Sequence, residues 1–267
     1  MLRDQTTAAV LAALAAEDPY LWLEEVTGDQ ALDWVRTANA LTAIALEGSE
    51  SYEALEAAIL DSTARLPYLG MQGAYYYNFW CDTANPRGLW RRTILEEFRK
   101  PEQAWERGLD LDALDKLEQR SWVFRGAQFL APEHRRCLIV LSPGGSVAVV
   151  VWAFDVATRT FVPDVFELPL AKTEVSWIDA DTLFVGTDFG PGSMTTSGYP
   201  RQVKLWRRGT SLDQDPLVFE GVATDLAAGA YHDPTPGFER DFLFRKPSFF
   251  TGETFFLVPD GEAEAVR

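Results

Sequence analysis

Histidine is almost missing from this 267-residue chain, which holds only His134 and His232. An activated serine needs a base, usually histidine, within hydrogen-bond reach, so the sequence is poor in that chemistry from the start. Cysteine is equally scarce. Cys81 and Cys137 form no CxxC and have no histidine at ligand spacing, which argues against zinc and predicts two half-buried thiols in strand segments. Positive charge is short as well: 24 Lys and Arg stand against 40 Asp and Glu, a formal charge of −16. Such a surface repels phosphate backbones and anionic membranes, so a nucleic-acid partner is not expected. No apolar run approaches the ~18 residues of a membrane span. The chain also has no G-x-S-x-G elbow, the strand-to-helix turn on which α/β-hydrolases mount a nucleophilic serine.

What is present is apolar and aromatic: 47% of residues are hydrophobic, 13% are Phe, Trp or Tyr, and there is no long low-complexity tract. This composition folds. Near the start, Thr7–Ala16 follows Arg3, but Asp4 and an alanine-rich core read as the start of an amphipathic helix rather than a signal peptide. A cytoplasmic protein is expected, with periplasmic export the lesser alternative. From Gln30 to Glu47, Leu32, Val35, Ala38, Leu41 and Ala45 recur at helical spacing, with Asp29 as N-cap and Gly48 as stop. A second helix is predicted over Ser51–Ala64 with Leu55, Ala58, Ile59 and Thr63 on one side, ended by Pro67.

After Pro67 the texture changes to short aromatic and β-branched runs broken by Gly, Pro, Asp and Asn. They are residues 74–80, 88–95, 136–142, 147–155, 182–188, 202–208 and 254–258, with one acidic helix over Leu111–Gln119. Many short strands between turn signals indicate a sandwich, barrel or propeller. An internal echo favours the propeller. Leu89-Trp90-Arg91-Arg92 returns as Leu205-Trp206-Arg207-Arg208, 116 positions later, and each copy is followed by an aromatic-Glu pair, Trp105-Glu106 and Phe219-Glu220. Two units apart, the copies imply about 58 residues per blade. The fold expected is therefore mainly β: an N-terminal helical lead-in over residues 1–68, then a partial propeller of three to four blades over residues 69–267.

Asp18-Pro19-Tyr20-Leu21-Trp22-Leu23-Glu24-Glu25-Val26, with Ala31-Leu32-x-Trp34-Val35-x-x-x-Asn39, resembles the N-terminal signature of prolyl oligopeptidases. Tyr77-Asn78-Phe79-Trp80 and Pro86 to Thr93 are similar to the first blade of bacterial members. Thr187-Asp188-Phe189-Gly190-Pro191-Gly192-Ser193-Met194-Thr195-Thr196-Ser197-Gly198-Tyr199-Pro200-Arg201 is the most distinctive match. The resemblance covers nearly everything from residue 18. It implies a seven-bladed propeller that restricts entry to short peptides. It also implies a following α/β-hydrolase domain that bears Ser, Asp and His and receives the N-terminal helices, with cleavage after proline or, in a sister branch, after basic residues. The sequence departs at Val147 and Trp152-Ala153, where bacterial members tend to have an acidic residue and an Arg-Glu pair. It stops at Arg267, so a catalytic domain missing from the chain and an unclosed ring are expected.

The remaining motifs read as structure. Gly192-Ser193-Met194 comes nearest to a nucleophile elbow but lacks the downstream glycine, and Ser193 is expected to satisfy a loop. His134 and His232 lie in stretches that read as turns, with no partner suggested by sequence. Glu24-Glu25, Glu96-Glu97 and Asp110/Asp112 read as solvated charge rather than acid–base pairs. Asp110-Leu111-Asp112 lacks the sequence of a calcium loop, and Gly144-Gly145 and Gly190-x-Gly192 read as hairpin turns rather than phosphate loops. Trp90, Trp152, Trp177 and Trp206 fall in strand-like runs and are expected between blades rather than stacked on a ligand. No catalytic residue, cofactor or metal is assigned. The function expected is the gating and docking portion of a serine endopeptidase acting on short proline-containing peptides. A stand-alone protein-binding module that pairs its open blade edges with a copy of itself or with another protein, or a remnant without function, is the alternative.

Overall fold

The computed structural model describes residues 18–25, 27–46, 50–61, 67–163, 165–258 and 263–265. The helix start over Thr7–Ala16, the stop at Gly48 and the end of the second helix at Ala64 lie outside them. The chain divides into two compact units, Met1–Thr63 and Ala64–Arg267.

In the first unit the Asp-Pro-Tyr-Leu-Trp segment makes a turn. Asp18 Oδ1 accepts the Tyr20 N–H at 2.8 Å, and the Trp22 indole N–H donates to the Pro19 carbonyl at 2.8 Å. A single 3₁₀ turn, Leu21–Glu24, follows. Helices α1 (Asp29–Leu46) and α2 (Glu50–Leu60) form where the apolar spacing predicts them. Asp29 is the first helical residue rather than the cap: the Gly28 carbonyl already accepts the Leu32 N–H at 3.0 Å. There its negative charge faces the positive end of the helix dipole. The Trp22 and Trp34 rings meet edge to face, 6.4 Å apart.

The second unit is a run of four antiparallel sheets, each built from consecutive strands. The first holds β1 (Gly70–Gln72), β2 (Tyr75–Trp80), β3 (Leu89–Ile94) and β4 (Glu106–Asp110), with the short helix α3 (Leu95–Phe98) before β4. Helix α4 (Leu111–Glu118) leads to the second: β5 (Trp122–Phe129), β6 (Arg136–Pro143), β7 (Val149–Asp155), β8 (Thr160–Phe161) and β9 (Glu167–Ala171), the last two sharing the edge of β7. The third holds β10 (Glu174–Asp179), β11 (Thr182–Gly186), β12 (Gln202–Arg207) and β13 (Leu217–Glu220), and the fourth β14 (Ala227–Asp233), β15 (Arg240–Lys246), β16 (Glu253–Leu257) and β17 (Ala263–Ala265). All seven expected strands and the acidic helix are present. These four sheets are blades of the expected propeller.

The sequence echo falls where the repeat demands. Both Leu-Trp-Arg-Arg copies sit in the third strand of their sheets, β3 and β12, two blades apart. The pitch is shorter than the echo implied. First strands begin at Gly70, Trp122, Glu174 and Ala227, every 52 or 53 residues rather than about 58. The second copy lies deeper in its blade because the loop before it, residues 187–201, is longer than residues 81–88 in the first.

Side-chain alternation stacks the sheets face to face. From β6, Cys137, Ile139 and Leu141 join Trp90, Leu109 and Leu111 of the first blade in one core, while Leu138 points the other way into the core shared with Val175, Leu183 and Trp206 of the third. In β11, Leu183 and Val185 face the second blade, and Phe184 faces Ala230 and Leu243 of the fourth. A strand buried on both faces reads as a continuous apolar run, which is why 136–142 and 182–186 were legible as strands. The Phe244 ring lies over Gly229, its cross-strand partner, so that a Cβ there would meet the ring at 2.4 Å.

Candidate functional site

The residues of hydrolytic type are spread through this frame, and their geometry decides what each can do. Ser193 lies in the long connection between β11 and β12 and is only 2% exposed. Its hydroxyl donates to the Gly190 carbonyl at 2.7 Å and accepts the Phe189 N–H at 2.9 Å. A hydroxyl held by its own turn is a structural group, as the loop reading expected. His134 occupies a left-handed turn at φ +53°, and its N–H donates to the Leu130 carbonyl at 3.0 Å.

His232 differs from expectation. It belongs to β14 rather than a turn, and its Nδ1 lies 2.8 Å from Asp241 Oδ1 on the neighbouring strand β15, to which it is paired in register. Sequence reasoning missed this pair because the partner comes from the strand ladder and not from a local motif. A carboxylate-oriented imidazole is two-thirds of a triad. Ser176 on β10 accepts the His232 backbone N–H at 3.1 Å rather than bonding the ring. Among the described residues, no serine hydroxyl hydrogen-bonds a histidine ring, so the nucleophile–base link is not made there.

The paired acids act as local braces. Asp110 caps α4 by accepting the Ala113 N–H at 2.9 Å, and Asp112 Oδ2 accepts the Arg87 N–H at 3.1 Å across the hairpin of the first blade. Desolvation by itself would raise the Asp155 carboxyl. The N–H groups of Thr158 and Ala157, each 2.9 Å away, together with Arg135 at 3.3 Å, outweigh that and hold its carboxyl below the ordinary aspartate range. Burial pushes the Cys137 thiol well above its ordinary range. Cys81 follows β2 rather than lying in a strand, and neither cysteine takes part in a disulfide. Trp90, Trp177 and Trp206 are buried between blades, and half-buried Trp152 packs edge-on against Trp122 and Phe161, each 5.3 Å away. Among the described residues, no group of three His, Cys, Asp or Glu is placed to hold a metal ion. No described helix is long and apolar enough to cross a membrane.

The connection 187–201 is the most elaborate surface element. It is fastened within its own blade and to the start of the fourth. The Arg201 guanidinium bonds the Gly192 carbonyl, pairs with Glu220 at 2.8 Å and reaches the Gly221 carbonyl at 3.3 Å. Thr195 Oγ1 donates to the Leu226 carbonyl at 3.1 Å, and the Thr196 N–H to the Ala223 carbonyl at 2.8 Å. Lys172 Nζ donates to the Ser197 carbonyl at 3.1 Å and lies 4.2 Å over the Tyr199 ring. Gly198, at φ +72°, lets the backbone turn under that lysine. The loop is thus a preformed, rigid feature. Further along the same end of the unit, the β15–β16 hairpin holds Phe249 and Phe250 in solvent, 80% and 93% exposed.

The family model for the prolyl oligopeptidase N-terminal β-propeller domain matches residues 1–233. An uncharacterized peptidase of Sinorhizobium fredii, y4nA, is 38% identical over 260 residues, covering 95% of this chain and 36% of its own. An uncharacterized peptidase of Rickettsia prowazekii, RP174, is 30% identical over 212 residues, covering 74% of this chain and 29% of its own. The solved structure of a post-proline cleaving enzyme from Rickettsia typhi superposes with a TM-score of 0.83 at 27% identity, over 91% of this chain and 37% of that one. The chain thus spans roughly a third of the length of the curated relatives it matches.

Proposed function

Because the chain belongs to the prolyl oligopeptidase family, we propose that it is the propeller portion of a serine endopeptidase, gating and docking a catalytic α/β-hydrolase domain supplied by residues beyond the matched third of its relatives. In this reading residues 1–68 are the helical lead-in and residues 69–267 the partial propeller, and the substrates are short proline-containing peptides. The observation that carries it is the course of the four blades, which follow the post-proline cleaving enzyme from R. typhi over 91% of this chain. Oligopeptidase B from Leishmania major shares the fold at 14% identity; the higher identity of the R. typhi enzyme favours proline over basic residues. Two cysteines outside any disulfide suit the cytoplasm.

The chemistry of the described residues fits a non-catalytic portion. Ser193 is tied to its own turn, and the His232–Asp241 pair has Ser176 on the backbone side rather than on the ring. The test is hydrolysis of a benzyloxycarbonyl-Gly-Pro reporter by the pure chain. No turnover above buffer is expected, and turnover abolished by a serine-directed inhibitor would overturn the reading.

A second reading has one observation in its favour. The face of the fourth blade turned away from the third carries an aromatic row, with Tyr231 stacked on Phe242 at 4.9 Å and Phe242 against Phe256 at 4.9 Å. A following blade or a second copy of this chain would cover it. Light scattering across a concentration series separates them: a monomer at all concentrations counts against self-pairing.

A further inference from the structure

The edge of the second blade holds a pocket that the reading above leaves unused. The chain leaves the ladder of β7 after Phe161, the end of β8, and returns at Glu167, the start of β9. Both ends of this excursion are pinned to one residue. The Ala153 carbonyl accepts the Val162 N–H at 2.9 Å, and the Ala153 N–H donates to the Phe166 carbonyl at 3.0 Å. The result is a pocket of about 410 Å³ whose lining includes Glu118, Trp152, Phe161, Val162, Pro163 and Glu167. Small-ligand sites run from roughly 300 to 1,000 Å³, so the space is sufficient.

Two kinds of group meet in that lining. Trp152 and Phe161 are half-buried and stand edge to face, ring centres 5.3 Å apart at 85°, so they form the two walls of a corner. Glu118 and Glu167 add two exposed carboxylates. Glu118 is held in place, its Oε2 accepting the Trp122 indole N–H at 3.0 Å. As the last residue of α4 it also brings the negative end of that helix dipole to the pocket. Glu167 is placed by its pairing in register with Trp152. Among the described residues, no Lys, Arg or His lines the pocket, pairs with either glutamate or stands over either ring. Arg120 stands 5.3 Å over Trp122, the indole that packs edge-on against Trp152. Ring faces and unpaired carboxylates both attract positive charge, so the pocket is complementary to a cation.

We propose that this pocket binds a small organic cation with an alkylated ammonium head. Trp152 and Phe161 hold the head by cation–π contact, and Glu118 and Glu167 supply the opposing charge. The kind of cation follows from the walls. A hard metal ion wants six or more oxygen ligands, and two glutamates do not provide them. A primary ammonium is strongly hydrated and gives up its water for fixed hydrogen-bond acceptors, which aromatic rings and the Val162 and Pro163 side chains are not. An alkylated head has no N–H to satisfy and presents methyl groups to the rings, the chemistry that aromatic corners recognise. The site does not depend on the function proposed above and stands or falls separately from it.

The test titrates the full 267-residue chain with choline and with its uncharged isostere 3,3-dimethyl-1-butanol, at constant ionic strength. Affinity is read by calorimetry, and the place of binding by the Trp152 indole N–H resonance, assigned by its loss in W152L. Choline is expected to saturate and to shift that resonance, with the isostere roughly 10-fold weaker or more. W152L is expected to lose roughly 10-fold in choline affinity, and E118Q/E167Q roughly 3-fold or more. E96Q/E97Q, which removes the same charge from α3, is expected to bind as wild type. If W152L loses its folded circular dichroism, E118Q/E167Q and the isostere decide, since both glutamates are exposed. No saturable choline binding overturns the proposal. Equal binding of the isostere would make the pocket merely apolar, and an equal loss in E96Q/E97Q would make the attraction one of net charge; either also overturns it.

Discussion

Replacing Trp90 by alanine should open the interface between the first two blades. The indole is 4% exposed. It stacks on Tyr77 at 5.1 Å and meets Phe124 at 5.8 Å, Phe129 at 5.9 Å and Phe154 edge-on at 5.9 Å. Large-to-small changes of a buried tryptophan cost about 3–5 kcal/mol. With four aromatic neighbours that close-packed rings cannot fill by collapsing, the upper end, about 5 kcal/mol, is expected. Against a total stability of about 5–15 kcal/mol for a domain, that is a third or more. With a urea slope of about 2.5 kcal/mol/M the midpoint falls by about 2 M, read by far-ultraviolet circular dichroism. Trp206 provides the internal control. It lies in the next interface, against Phe166 at 5.0 Å, and shares none of the ring partners of Trp90. The double variant W90A/W206A should therefore lose the sum of the single effects to within about 0.5 kcal/mol. A loss below about 1.5 kcal/mol in W90A would refute the claim that aromatic burial between adjacent blades holds the stack together.

Gly88 sits at φ +104°, where a Cβ would meet Phe79 Cζ at 2.4 Å; G88A should destabilise by about 2–3 kcal/mol in the same urea assay. Asp155 is held below the ordinary aspartate range. A group with a depressed folded value contributes stability above its unfolded value and loses it as pH falls through the folded one. D155A should therefore be less stable than wild type at pH 7, and the gap should close in strong acid; a gap that stays constant between pH 7 and pH 2 would contradict this. Cys137 is fully buried, with its thiol pushed well up. In a C81S variant it should ignore a disulfide-exchange reagent until urea unfolds the chain, and rapid labelling of the folded protein would contradict the blade assignment.

Much of this fold was legible where one blade face repeats itself in sequence. The continuous runs of β6, β7 and β11 betrayed strands buried on both sides, and the Leu-Trp-Arg-Arg copies located third strands two blades apart. Strands with mixed chemistry were not legible. In β5, Arg125 and Gly126 interrupt the pattern beside a register shift against β6, and β14 opens on Ala227-Ala228-Gly229-Ala230, which carries none of the aromatic or β-branched pattern that marks a strand. The pitch was overestimated because one loop length was hidden inside the echo. The 187–201 stretch, the most distinctive run in the sequence, forms the long β11–β12 connection, and Ser193 is held in its turn as its loop setting implies. The His232–Asp241 pair was missed, since strand register made it. The Phe249-Phe250 tip was missed because adjacent phenylalanines near a strand look like core until exposure is known.

The most direct test of the gating claim compares the R. typhi hydrolase domain with and without this chain, on a short proline-containing peptide and on an unfolded protein such as reduced casein. The account predicts that adding the chain leaves cleavage of the short peptide intact or enhanced while suppressing cleavage of casein. Equal cleavage of casein in both mixtures, with binding demonstrated, would contradict it.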